Sequence, residues 1–352
     1  MKRKKMLWII PALVVAAIAA LVFKTLYDAG EFKAIAPHGH GLCETIGGIL
    51  SSEDITIHPK TGIAFISSDD RRPWFHGDRG KQGAILGYDL ADTSPALVNL
   101  TFDFQKEFHP HGIGLYVDES SGASLFVVNH TGKGHVVEIF DLEKGKLVHR
   151  RSVQDPLLIS PNDVIPVTRD SFYVTNDHGS VSKWGRTLED YLQLARSNVL
   201  YYDGKGFRQV AGNLAYANGI NRSADGKVLY VAATVAKKVY VFDRDASTGE
   251  LSLRGEIPVR TGVDNIEMDG AGTLWIGAHP KLLTFVKYAK DPHALSPSQV
   301  LQVDPNRGPP YRITEVYLND GRALSGSSVA AVFEDRLLIG SVFDDRFLIC
   351  RR

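Results

Sequence analysis

The 352-residue sequence has no excess of charge of either sign: Lys+Arg and Asp+Glu both number 40. With no basic surplus, and no Lys/Arg block beyond the N-terminus, nothing in it marks a nucleic-acid partner. A Pro/Ser-rich linker is also missing after about residue 30, so the remainder reads as one domain. Long apolar runs are nearly absent too. The exception, Met6 to Phe23, follows Lys2, Arg3, Lys4 and Lys5. About 18 apolar residues suffice for one spanning helix, whereas the apolar core of a secretory signal is usually about 7–15. Ala17, Ala19 and Ala20 would offer a cleavage site, but Leu21-Val22-Phe23 continue the run. Residues 1–30 are therefore expected to be a retained signal-anchor and linker. The N-terminus would be cytoplasmic and the body, residues 31–352, extracytoplasmic; cleavage would instead yield a secreted protein.

What is present is a repeat. A pair of small polar or acidic residues precedes an aliphatic residue in Glu53-Asp54-Ile55, His111-Gly112-Ile113, Asn162-Asp163-Val164, Asn218-Gly219-Ile220, Asp264-Asn265-Ile266 and Ser327-Ser328-Val329. Each leads into a strand-forming run, such as Ala64-Phe65-Ile66, Leu125-Phe126-Val127-Val128 or Leu274-Trp275-Ile276. The copies start roughly 46 to 63 residues apart, near the period of propeller blades. The expectation is an all-β, six-bladed β-propeller, its turns served by 33 glycines.

In a propeller the innermost strand of every blade lines a central channel, so equivalent positions meet there. That ring would be Glu53, His111, Asn162, Asn218, Asp264 and Ser327. Asn and Asp are common turn formers, but recurrence at one phase of the repeat points to a shared site. Carboxylate and amide oxygens suit a hard cation such as calcium. Strand residues alternate in direction, which puts the second positions, Asp54, Asp163 and Asn265, mostly at another depth. Asp54 and Asp163, with backbone carbonyls, would suit a second ion. Cys43 and Cys350 flank the repeats, and a bond between them would lock first blade to last.

One segment, WGRTLEDYLQLARS from Trp184 to Ser197, breaks the β pattern. It reads as a helix with Thr187 as N-cap and Leu188, Tyr191, Leu192 and Ala195 on one face. It would pack on the propeller, rest on a membrane, or cover the channel mouth.

The motifs Ser52-Glu53-Asp54-Ile55, Pro110-His111-Gly112-Ile113, Val127-Val128-Asn129-His130, Pro161-Asn162-Asp163-Val164, Thr175-Asn176-Asp177-His178, Ala217-Asn218-Gly219-Ile220-Asn221, Val263-Asp264-Asn265-Ile266 and Trp275-Ile276-Gly277-Ala278-His279-Pro280 resemble, in order and spacing, the paraoxonase/arylesterase family of calcium-dependent lactonases. The resemblance covers nearly the whole chain. It implies a catalytic calcium held by Glu53, Asn162, Asn218, Asp264 and Asn265. A structural calcium would be held by Asp54, Asp163 and the carbonyl of Ile113. It further implies a His111–His130 pair, an end-to-end disulfide and a retained apolar N-terminus. Three features depart from the family: Ala278 replaces a cysteine, Tyr216 stands where Phe is usual, and the loop from Asp69 to Gln82 is more polar. By the resemblance that cysteine is not needed for the chemistry, and the other two departures bear on substrate preference rather than on the cation site.

The implied chemistry is hydrolysis of a lactone or aryl ester. Calcium would polarise the carbonyl and a base would activate water. The base would be His111, with His130 orienting it or relaying the proton, or a carboxylate, Glu53 or Asp264. His178 and His279 read as supporting residues. Two rivals stand beside this reading: a gluconolactonase-like sugar lactonase, and a non-catalytic calcium-stabilised propeller that displays a binding surface.

Overall fold

The computed structural model describes residues 2–39, 41, 43–118 and 122–352, with side chains from residue 10 onward. The four N-terminal cations thus lie outside the described side chains. Among the described residues, four-stranded antiparallel sheets form the six blades. The innermost strands are Asp54–Ile57, Pro110–Val117, Pro161–Pro166, Ala217–Arg222, Gly262–Met268 and Ser327–Phe333. Every repeat recognised in the sequence therefore begins an inner strand. The apolar runs that follow are second strands, buried on both faces: Ile63–Ser68, Phe172–Asn176, Val228–Ala233 and Leu274–His279 are almost entirely buried.

Apolar clusters fill each of the six blade interfaces. Between blades four and five, for example, Val239, Val241 and Ile257 meet Val263, Leu274 and Ile276. This packing leaves the inner strands' polar pairs as the channel wall.

Five blades use four consecutive strands, and the sixth borrows its outer strand from the other end of the chain. Cys43–Gly47 pairs antiparallel with Arg346–Arg351. Cys43 stands opposite Cys350, and the two are disulfide-bonded across 307 residues. The ring is thus closed covalently as well as by a strand ladder.

Helix α1 (Lys2–Asp28) projects from the propeller. Its Ile10–Asp28 stretch has a mean hydropathy of 2.1, and none of its apolar window is buried within the protein. A buried core helix is excluded for this stretch. The helix end is tied down: Asp28 accepts hydrogen bonds from Lys24 and Gln193, and Glu31 accepts from the backbone of Leu283 and Thr284. These last two residues lie in the first turn of helix α3 (Leu282–Lys290), so the end of α1 is fixed to the propeller.

Helix α2 (Lys183–Leu192) lies where a helix is expected, but its start differs. Ser182, not Thr187, is the N-cap, accepting from Gly185 N. Thr187 instead donates to the carbonyl of Lys183 one turn back, as a helix-interior threonine does. The helix does not pack by its apolar face either. Glu189 is buried and Asp190 turns to the propeller, while Trp184, Leu188, Tyr191 and Leu192 are exposed.

Candidate functional site: a ring of oxygens beside a chain of histidines

In four of the six inner strands two neighbouring residues fall out of the ladder at the channel. The pairing skips between Pro110 and Ile113, Pro161 and Val164, Ala217 and Ile220, and Val263 and Ile266, with a shorter slip between Ser327 and Val329. Bulged residues escape strict alternation. The expected separation of first and second positions by depth therefore holds only in part. Asn265 turns beside Glu53, donating Nδ2 to its backbone carbonyl and to Oε1, both at 3.0 Å. Adjacent strands also approach closely here. A Cβ on Gly112 would lie 2.4 Å from Asp163 Cα, and one on Gly219 would lie 2.5 Å from Asp264 O. Glycine at these second positions is a steric requirement.

Of the residues expected to hold the catalytic calcium, Glu53, Asn162, Asn218, Asp264 and Asn265 are all buried. Two of the three amide nitrogens are turned away from the ring oxygens: Asn162 Nδ2 donates to Asp177 Oδ2 at 3.2 Å and Asn218 Nδ2 to Thr234 Oγ1 at 3.0 Å. The oxygens left over, Asn162 Oδ1, Asn218 Oδ1, Asn265 Oδ1 and Glu53 Oε2, have no hydrogen-bond partner. An orphaned buried acceptor costs about 1–3 kcal/mol. Four of them among these neighbouring residues form a set that a hard cation would satisfy. Among the described residues no three His, Cys, Asp or Glu side chains gather as a metal-holding group, so a cation here would lean on the amide oxygens. Ser327 contributes no free oxygen, because its hydroxyl is taken by the carbonyls of Ala278 and Gln299. Its neighbour Ser328 reaches the ring instead, donating to Glu53 O.

Charge is unevenly held. Burial opposes ionisation of Glu53, but His111, Arg71 and the Asn265 amide outweigh it and bring its carboxyl to about 2. Burial, against the bond to His279, leaves Asp264 raised. Asp54 is pushed well up by burial and the charge of Glu53, and Asp163 by burial and the charge of Asp54, although backbone N–H groups of Ile55 and Ile113, and of Val164 and Ile220, donate to them. Two buried carboxylates that repel each other are a second place where a cation would relieve an unfavourable charge.

Around the ring, His279 Nε2 lies 2.8 Å from Asp264 Oδ2 and its ring stacks on Phe285, centroids 3.8 Å apart. His178 bridges Asp177 and Asp190 at 2.7 and 3.0 Å. Burial disfavours its charge, yet those two carboxylates raise it to about 10. Asp177 in turn accepts from Asn162 Nδ2, so His178 stands one residue behind the ring.

His111 Nε2 lies 3.4 Å from Glu53 Oε1, and its Nδ1 shares a 2.8 Å hydrogen bond with His130 Nε2. The expected histidine pair is thus in contact, and at the ring. Burial, together with neighbouring cations, keeps His130 well below the usual imidazole range.

Three contributors were not singled out from the sequence. Arg71, within the loop from Asp69 to Gln82, is buried with Nη2 3.8 Å from Glu53 Oε2. Trp74, on the same loop, meets the rings of His109 and His130 edge-on. The third, His135, bonds through Nδ1 to His130 Nδ1 at 2.7 Å. A tight turn at 131–134 flanked by two histidines was the available signal, since hairpin register sets His130 opposite His135.

A family model described as Arylesterase matches residues 32–351. Serum paraoxonase/arylesterase 1 of Rattus norvegicus is 36% identical over 329 residues, 91% of either chain. Among solved structures, regucalcin from Agrobacterium tumefaciens, a calcium-binding protein, superposes with a TM-score of 0.52 at 14% identity, covering 90% of this chain and 93% of that one. A gluconolactonase from Xanthomonas campestris gives 0.51 at 17% identity, covering 91% and 99%. These two show likeness of fold.

Proposed function

The chain belongs to the arylesterase family, and from that premise we propose that it is a calcium-dependent hydrolase of lactones and aryl esters. The observation that carries this reading is the set of buried oxygens without hydrogen-bond partners on Glu53, Asn162, Asn218 and Asn265. With Asp264, these would hold a catalytic calcium. Asp54, Asp163 and the carbonyl of Ile113 would hold a second, structural ion. The bound cation supplies Lewis-acid polarisation of the ester carbonyl and charge to offset the oxyanion.

The protein's own residues do the rest. His279 orients Asp264, Thr234 orients Asn218, and Asp177 orients Asn162 through the bonds described. Partners that fix a ligand's orientation typically contribute about 10–100-fold in metal affinity or activity. His111 is the base that takes a proton from water, with Glu53 and Asp264 as the carboxylate alternatives. His111 is the preferred one because its Nδ1 already has a hydrogen-bond acceptor or donor in His130 while Nε2 faces the ring. Phe285 on His279, with Phe343 tilted against it, gives one wall an aromatic surface for an aryl leaving group.

The division we favour is an anchor and linker in residues 1–30 and a hydrolase domain in 31–352. Anchoring is supported by the apolar, unburied α1 and by the exposed apolar side chains of α2, which would rest on the lipid surface. An anchored protein stays in the membrane pellet after carbonate washing, and a cleaved one appears in the soluble extracytoplasmic fraction.

Activity of purified protein on phenyl acetate and δ-valerolactone, against gluconolactone, tests the substrate class. Turnover of gluconolactone alone would favour the sugar-lactonase reading. No turnover of any of them would favour a binding propeller.

A further inference from the structure

His135 lies near the ring, yet neither the repeat nor the cation site explains it. It sits on strand Gly134–Glu143, half-buried beside an exposed turn at Gly132 and Lys133. Its Nδ1 lies 2.7 Å from Nδ1 of His130, whose Nε2 lies 2.8 Å from Nδ1 of His111. Three rings therefore form one continuous chain of hydrogen bonds. The inner end is His111 Nε2, 3.4 Å from Glu53 Oε1. The outer end is His135 Nε2, which makes no hydrogen bond among the described residues. Trp74 against His130 shields the middle of the chain.

We propose that His135 is the outer terminus of a three-histidine proton relay that joins the hydrolytic channel to solvent. The proposal rests on the reading above, in which His111 is the base.

Neutral rings satisfy both internal bonds in one arrangement. His111 Nδ1–H donates to His130 Nε2, His130 Nδ1–H donates to His135 Nδ1, and His135 carries its proton on Nε2. When water attacks the acyl carbon, its proton goes to His111 Nε2. The Nδ1 proton of His111 passes to His130, that of His130 passes to His135, and the Nε2 proton of His135 leaves to solvent. As the bond between acyl carbon and leaving oxygen breaks, that oxygen takes a proton from His111 Nε2. The chain then shifts back, and His135 Nε2 recovers a proton from solvent. Each turnover exports one proton and imports one, and the chain is reset. The proton released overall is that of the acid product as it ionises. No imidazolium accumulates in the buried middle, where burial and the nearby Arg71 and Arg79 disfavour it. Arg186, Asp177 and Arg79 are the charges around His135 itself.

His135 acts through His130 and touches no substrate, so it is a positioning and relay residue. The test uses the full chain in detergent with saturating calcium, with kcat and KM measured for phenyl acetate in wild type, His135→Phe and His135→Gln. Rates are followed against rising imidazole and, separately, against a bulky buffer. The expected result is a kcat roughly tenfold lower in both variants, less than the roughly 10²-fold expected for losing the base itself. KM should be unchanged, and imidazole, but not the bulky buffer, should restore kcat in the variants while leaving wild type unaffected. Wild-type kcat in both variants, or a loss that imidazole does not restore, overturns the relay. A wild-type protein without calcium-dependent hydrolysis, or a fully active His111→Gln, overturns the underlying reading and the relay with it.

Discussion

Asn265 donates its amide to Glu53 twice, to the backbone carbonyl and to Oε1, each at 3.0 Å, across 212 residues of sequence. Only the closure of six blades into a ring brings these two together. The same closure gathers the other oxygens. Their orientation is set by partners behind them, so removing one ring member should leave the blades intact.

Asn218→Ala and Asp264→Ala should each lower ester hydrolysis by at least about 10²-fold while far-UV circular dichroism stays that of a folded β protein. His279→Ala, which removes the orienting bond to Asp264 and the stacking on Phe285 but no proposed ligand, should lie between these variants and wild type. Full activity in both ring variants would remove the cation from the mechanism.

Most of this architecture was legible in the sequence, for a physical reason. Inner strands carry polar pairs because they line a channel, and second strands are apolar because both faces are packed. The period of the fold is therefore written in residue type. Cys43 and Cys350 were legible because a ring must join its ends. Three things were not. The bulges that turn Asn265 toward Glu53 depend on local register, which alternation does not predict. The N-cap was misread because Thr187 and Ser182 are both capping residues, and only the start of the helix tells them apart. His135 depended on which residue faces His130 across a tight turn.

Breaking the covalent closure should destabilise the protein without dismantling it, since the strand Cys43–Gly47 still pairs with Arg346–Arg351. Cys350→Ser is expected to cost about 2–5 kcal/mol, or roughly 4–10 °C in melting temperature. Calorimetry of reduced and oxidised wild type beside the variant checks it. Equal melting temperatures would show that the ladder alone closes the ring.

His111→Gln should reduce lactone turnover by roughly 10²-fold or more, with calcium affinity barely altered because the imidazole is not a ligand in this account. His130→Gln should do less. Paired measurements of kcat and calcium affinity decide the point. Near-full activity of His111→Gln would shift the base to Glu53 or Asp264.

Acid should destabilise the protein partly through His135. Burial first, then Arg186 and Arg79, bring this ring from its ordinary 6.5 to about 4. The folded protein therefore keeps it neutral where the unfolded chain would protonate it. That contribution is fully present above about pH 6.5 and is lost as pH falls through about 4. His130, lowered in the same direction, adds to it. The melting temperature of His135→Phe, measured from pH 7 down to about 4 with saturating calcium, should fall less steeply than that of wild type. Parallel curves would show that His135 titrates alike in the folded and unfolded states.

The central claim is that the buried oxygens of Glu53, Asn162, Asn218, Asp264 and Asn265 hold a calcium that hydrolysis requires. Its most direct test is phenyl acetate hydrolysis by wild-type protein dialysed against a calcium chelator, then titrated with calcium while bound metal is counted by atomic absorption. The account predicts activity lost by about 10²-fold or more on chelation and regained in step with bound calcium, with no regain in Asn218→Ala. Undiminished hydrolysis by protein shown to carry no metal would contradict it.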